Sequence, residues 1–163
     1  MSSPKIRPAT PADADEIVAM IRELAEYERL LHEVRITPDD LRAALFGERP
    51  AAEAIVAWTE ANEVAGFALY FTSFSTFVGK PGLYLEDLYV RPQHRGRGLG
   101  KRLFGRVGAI ARERGCGRYE WEVLDWNQPA RDFYHSWGAE LHPDWRRMRM
   151  SGEALERFAP YGA

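Results

Sequence analysis

The chain has 163 residues, enough for one domain with a substantial buried core. With 45% hydrophobic and 28% charged residues it is not a disordered chain, and a net charge of −2 speaks against a dedicated nucleic-acid binder. The lone Cys116 rules out an internal disulfide framework, and neither a signal-like N-terminus nor a membrane-spanning apolar run is present, so a cytoplasmic protein without a membrane partner is expected.

Lys5 to Pro8 reads as a short leading strand. Thr10-Pro11-Ala12-Asp13 then carries the marks of a helix start: a capping hydroxyl, a proline in the first turn and a carboxylate at the positive end of the dipole. Ile17, Met20, Ile21 and Leu24 recur at helical spacing up to about Tyr27. Thr37-Pro38-Asp39-Asp40 repeats the start signal, with Leu41 and Leu45 inward and Gly47 as the stop. Ala54 to Trp58 and Val64 to Phe74 flank Glu60-Ala61-Asn62-Glu63, which predicts an antiparallel hairpin. Leu83 to Val90 is the next strand, Gly98 to Arg114 an amphipathic helix ended by Gly115, and Arg118 to Leu124 a further strand. Asn127 caps a short helix closed by Gly138, Trp145 to Met150 predicts a last strand, and Ser151 starts a terminal helix. Without repeats or low-complexity linkers, this order predicts a single α/β domain over residues 1–163, a mixed sheet with a central βαβ unit.

The most informative stretch is Leu83 to Val90 followed by Arg95-Gly96-Arg97-Gly98-Leu99-Gly100-Lys101. A Walker loop would need glycine at 95 and Ser or Thr at 102, where Arg95 and Arg102 stand. A dinucleotide fingerprint beginning at Gly96 would need glycine at 101, where Lys101 stands. What remains is a plain strand-to-helix turn or an anion site. Glycines allow close approach of main-chain N–H groups, the helix dipole favours negative charge, and Arg95, Arg97 and Lys101 add to it.

Arg95-Gly96-Arg97-Gly98-Leu99-Gly100 resembles the R/Q-x-x-G-x-G/A motif of the GNAT N-acetyltransferases, whose loop binds the pyrophosphate of acetyl-CoA. Further segments are similar to the diamine (spermidine/spermine) acetyltransferase branch: Ile6 to Thr10, Arg22 to Glu28, Phe46 to Pro50, Tyr84 to Asp87 and Trp126 to Pro129. Val123 to Gln128 and Gly152 to Leu155 look closer to the thialysine Nε-acetyltransferase sub-branch. The resemblance implies the GNAT fold with a splayed strand at 83–90, acetyl-CoA as co-substrate, a small-molecule amine as acceptor and a homodimer.

The resemblance also implies roles. Acetyl transfer to an amine needs removal of the amine's proton, stabilisation of an oxyanion and protonation of the departing thiolate. Tyr134 matches the family's general acid, and Glu86 the strand carboxylate that binds the amine and helps deprotonate it through water. Leu88, Tyr89 and Val90 would offer main-chain groups to the cofactor, with Leu88 near the acetyl carbonyl. Gly96, Gly98, Leu99 and Gly100, with Arg95, Arg97 and Lys101, would hold the diphosphate, and Asn127, Gln128, Pro129 and Ala130 would add cofactor contacts. Tyr27 and Glu28 match positions that line the amine pocket, and Glu122 and Asp144 are further acidic candidates. On residue type alone, Glu86 and Asp87 should point to opposite faces of the strand unless a bulge intervenes. His32, His94, His135 and His142 show no ligand spacing, so no metal is expected. A protein-directed acetyltransferase and a non-catalytic acyl-CoA sensor stay open as alternatives. The diamine branch carries more acidic residues after its Tyr-Glu pair; Arg29-Leu30-Leu31-His32 here favours a short amine over a polyamine.

Overall fold

The computed structural model describes residues 4–162, which divide into two compact units, one ending at Leu124 and the other beginning at Asp125. In the first unit, β1 (Lys5–Pro8) leads through a 3-10 turn into α1 (Ala14–Tyr27). Asp13 ties this turn together and is only 3% exposed. It accepts the Thr10 N–H at 2.7 Å, the Thr10 hydroxyl at 2.9 Å, and two Arg7 nitrogens at 2.7 and 2.9 Å. Burial pushes the Asp13 carboxyl up, but the Arg7 and Thr10 donors outweigh it and hold it below the ordinary carboxylate range.

Because that folded-state value is depressed, the stability Asp13 contributes is present above pH ~4 and is lost as the pH falls through the folded value. Asp13→Ala also strands the Arg7 guanidinium. It is expected to cost roughly 2–4 kcal/mol in urea denaturation at pH 7, with the gap to wild type closing in acid.

The second helix, α2 (Pro38–Phe46), opens on a reciprocal cap. The Asp40 N–H donates to the Thr37 hydroxyl oxygen at 3.2 Å, and the Thr37 N–H donates to the Asp40 carboxylate at 2.9 Å. Gly47 ends it in extended backbone rather than in a left-handed turn. A Cβ there would lie 2.4 Å from the Ala43 carbonyl oxygen, so close approach is what requires glycine.

The chain then forms β2 (Glu53–Trp58), β3 (Val64–Ser75) and β4 (Lys80–Val90), followed by α3 (Leu99–Glu113) and β5 (Arg118–Trp121). The strands lie in the order β1-β2-β3-β4-β5, all antiparallel except the β4–β5 pair. The β4-α3-β5 crossover is the central βαβ unit expected from sequence. Helices α1 and α2 cover one face through Ile17, Met20 and Leu41 against Phe67, and α3 covers the other through Leu103 and Val107 against Leu83. Strand β5 is shorter than the predicted 118–124, because its ladder pairs only with Gly82 to Leu85 of β4 and ends at Trp121.

The second unit contains α4 (Gln128–His135) and α5 (Gly152–Phe158). The strand predicted over 145–150 is not formed. Among the described residues no strand supplies it with a ladder, and Trp145 and Met148 are 77% and 91% exposed. An apolar-polar alternation becomes a strand only where a neighbour satisfies its backbone.

Candidate active site

The centre of the site is an irregularity in β4. Leu69 of β3 pairs with Asp87, and the next residue, Tyr70, pairs with Leu85, leaving Glu86 as the extra residue of a bulge. The bulge reverses the alternation. Leu85 and Leu88 both belong to the α3 face, while Asp87 pairs with Leu69 and lies with Tyr89 on the face covered by α1 and α2. It also coincides with the end of the β4–β5 ladder at Leu85. Residues 87–90 therefore pair with β3 along one edge and, among the described residues, take no ladder bonds from β5. The end of that ladder matches the splayed strand the resemblance implied.

Three carboxylates converge here. Glu86 is exposed on the bulge, and Asp87 beside it and Glu28 at the end of α1 are both half-buried. Burial, followed by the negative charges of Glu86 and Glu28, pushes the Asp87 carboxyl up to about 7. Burial likewise raises Glu28. Among the described residues no cation is paired with Asp87. The cluster is a pocket of negative charge poised to exchange a proton near neutrality, suited to receiving an ammonium group.

Local structure sets Glu28 in place. The helix ends when Arg29 takes up φ +63, with the Leu30 N–H reaching the Ala25 carbonyl at 2.7 Å and the Arg29 N–H reaching Glu26 at 3.0 Å. A non-glycine residue in this region costs about 1 kcal/mol or more, so the turn is held by its surroundings. Arg91, just past β4, anchors α1 through Glu16 at 2.9 Å and Glu23 at 3.2 Å and also donates to the Val64 carbonyl. The clamp fixes the helix that carries Tyr27 and Glu28 against the end of β4.

Arg95 sits between the two halves of the site. Its Nε donates to the Val90 carbonyl at 2.8 Å, and its guanidinium lies 5.8 Å from the Tyr27 ring and 5.5 Å from that of Tyr89. Beyond it, Gly96 and Gly98 have φ +76 and +73, and a Cβ at either would meet nothing within 4 Å. Conformation, not crowding, selects glycine at both positions. The turn delivers the main chain to the start of α3, where Leu99, Gly100 and Lys101 are the first helical residues and precede the bond from the Arg102 N–H to the Gly98 carbonyl at 3.1 Å. Such a turn accepts a phosphate group at close range.

The remaining predicted residues lie elsewhere. Glu122 is exposed just past the last paired residue of β5. In the second unit, the Asn127 side chain caps α4 by accepting the Ala130 N–H at 3.4 Å, with Gln128 and Pro129 in the first turn. Tyr134 stands in the last turn of α4 with the Phe133 ring edge-on at 5.3 Å. Asp144 is exposed in a turn of that same unit. Sequence reasoning did not place Asp87 among the site residues. The adjacent acidic pair was the visible signal, but its use depends on the bulge. Among the described residues, no group of three His, Cys, Asp or Glu side chains is placed to hold a metal, and no helix is long and apolar enough to cross a membrane.

Comparison with known proteins agrees with this geometry. Residues 15–139 match the model of the acetyltransferase (GNAT) family. The chain is 39% identical to the thialysine N-epsilon-acetyltransferase of Mus musculus, over 98% of this chain and 99% of that protein. It is 31% identical to the L-ornithine N5-acetyltransferase NATA1 of Arabidopsis thaliana, over 93% of this chain and 86% of that one. Among solved structures, an integron cassette protein from the mobile metagenome of V. cholerae superposes with a TM-score of 0.79 at 28% identity, covering 98% and 99% of the two chains. The glycine turn, the bulged strand and these relatives agree: the chain belongs to the acetyltransferase (GNAT) family and is an acetyl-CoA-dependent N-acetyltransferase.

Proposed function

We propose that this enzyme acetylates the primary amine of a small molecule, a thialysine-like amino acid before a diamine or polyamine, by direct transfer with both substrates bound. The observation that carries the reading is the carboxylate cluster of Glu28, Glu86 and Asp87 at the β4 bulge. Three carboxylates at the mouth of a splayed strand attract an ammonium, and a carboxyl near 7 can take its proton. Two of the relatives described above are named for transfer to a side-chain nitrogen of an amino acid, which supports the choice of amine.

In this reading Glu86 meets the amine, and Asp87 beside it accepts the proton. The nitrogen then attacks the thioester carbonyl, the N–C bond forms and the C–S bond breaks, and Tyr134 protonates the leaving thiolate. The main chain of Leu88 to Val90 orients the acetyl arm, with Asn127 to Ala130 contributing further cofactor contacts, and the turn at Arg95 to Lys101 holds the diphosphate. Tyr27 lines the amine side, and Glu122 and Asp144 are secondary acidic candidates. Both compact units serve one acetyltransferase domain, since the family match runs across their boundary. The family resemblance further supports a homodimer, which light scattering would read directly.

Free CoA release tests the substrate. With thialysine, ornithine, spermidine and lysine as acceptors, turnover with thialysine or ornithine at a kcat/KM above that for spermidine is expected. Absence of turnover with every small amine would remove the proposal.

Gly98→Val tests the turn. A β-branched residue at φ +73 costs about 1–2 kcal/mol, which corresponds to roughly 5–30-fold in an equilibrium. KM for acetyl-CoA should rise by about that factor, while KM for the amine changes little.

A further inference from the structure

We propose that the amine acetylated by this enzyme is the side-chain amine of a free α-amino acid, and that Arg118 and Glu120 on β5 recognise its α-carboxylate and α-ammonium. The inference rests on the carboxylate cluster at the β4 bulge being the amine site, and it extends that site along the sheet. Asp87 pairs with Leu69 and lies on the face covered by α1 and α2, whereas Leu83 and Leu85 lie on the α3 face. Tyr84, between those two leucines, therefore shares the face of Asp87, and so does Phe71 opposite it. The same alternation on β5 sends Tyr119 and Trp121 to the α3 face, where they meet Phe104, and leaves Arg118 and Glu120 on the other. Gly82 fixes the match, because a Cβ there would lie 2.8 Å from the Ser73 Oγ and 3.6 Å from the Arg118 Cβ.

Three groups of side chains follow one another on this face. At the bulge stand Glu86 and Asp87, with Glu28 acting on Asp87 from the end of α1. Next to them the rings of Phe71 and Tyr84 stack with centroids 5.1 Å apart and planes at 28°. Both rings are half-buried, and neither belongs to the core that α1 and α2 close. In register with Tyr84 and Gly82 come Glu120 and Arg118, both exposed. Neither of these two forms an ion pair among the described residues. Lys80, two residues before Gly82 on β4, adds a second positive charge at that end.

Their order selects the ligand. An ammonium is held at the carboxylates of the bulge, and an aliphatic or thioether stem lies across the stacked rings. The far end then offers a carboxylate and a guanidinium side by side, which complements an ammonium and a carboxylate carried on one carbon. A diamine satisfies Glu120 and leaves Arg118 without a counter-charge. The spacing agrees. Glu86 and Glu120 are separated by about 6.6 Å along the strands and about 4.8 Å across them, hence by about 8 Å. The two nitrogens of an extended thialysine chain span nearly the same distance, ~7–8 Å at ordinary bond lengths. Arg118 stands one pair further along, within reach of the carboxylate on the same carbon.

Isothermal titration of the full chain saturated with CoA, with thialysine and bis(2-aminoethyl) sulfide as ligands, tests the proposal. The second ligand is the same chain without the carboxylate. Thialysine is expected to bind about fivefold or more tightly than the sulfide. Arg118→Gln should cost thialysine about that factor and abolish the preference, and Arg118→Lys should restore part of it. Glu120→Gln should weaken thialysine by a similar factor but not Nα-acetylthialysine, which has no α-ammonium to lose. Arg112→Gln removes the same charge from the last turn of α3 and should change none of these affinities. Equal binding of thialysine and the sulfide to the wild-type chain, or equal losses of both in Arg118→Gln, would overturn the assignment. CoA release with the same two amines separates this claim from the one beneath it. Turnover of both at equal kcat/KM removes the head-group site and leaves the amine site standing, whereas turnover of neither removes the amine site and this proposal with it.

Discussion

Tyr134→Phe should reduce kcat by about 10²–10⁴-fold while leaving KM for acetyl-CoA within a factor of a few. The phenol is the group proposed to protonate the CoA thiolate, and phenylalanine keeps the ring that packs edge-on against Phe133 while removing the hydroxyl that carries the proton. A thermal melt of the variant beside wild type separates a chemical role from a packing role. Stopped-flow or steady-state CoA release on the variant is the measurement. A kcat equal to wild type would remove Tyr134 as the acid and leave protonation to solvent.

Asp87→Asn is expected to move activity and stability in opposite directions. As the group that accepts the amine's proton, Asp87 should contribute about 10²-fold or more to kcat/KM. Its carboxyl, however, sits at about 7 in the folded chain against an ordinary 3.8, so the folded state holds a proton that the unfolded state has released. The sign follows from this difference. The stability associated with the protonated form is fully present below pH ~4 and is lost as the pH rises through about 7. Above neutrality the native protein carries the cost of a buried charge beside Glu86 and Glu28. Asparagine carries none. The variant should thus be more stable than wild type at pH 8, on the order of 2–4 kcal/mol, with the advantage shrinking towards pH 5. Denaturant titrations at the two pH values check it. A variant that is both less stable and equally active would mean that Asp87 is an ordinary packing residue.

Much of this architecture was legible in the residues. The two Thr-Pro-x-Asp starts, the Gly115 stop, the hairpin and the glycine turn are local signals, and each appears where the chain chemistry placed it. The elements that went astray depend on partners. Arg118 to Leu124 has strand character throughout, but only Arg118 to Trp121 finds a ladder on β4. Trp145 to Met150 alternates in apolar character without a neighbouring strand among the described residues. At the site, Glu86 and the glycine turn could be proposed from motif and resemblance, and Glu28 from its place at the end of α1. The place of Asp87 as the member of the cluster whose carboxyl is raised was not accessible, because it follows from one extra residue in β4 measured against β3. Pairing register is a property of two strands, and no single strand's sequence states it.

The account rests on Asp87 beside the bulge, which must shed its proton before the amine can lose its own. The most direct test is the pH dependence of kcat/KM for thialysine in the wild-type enzyme, followed by CoA release from pH 5 to 10. The expected profile rises with an apparent pKa near 7 and levels off before the amine itself titrates. A rate that climbs steadily to the amine's own pKa of ~10, with no inflection near 7, would contradict it.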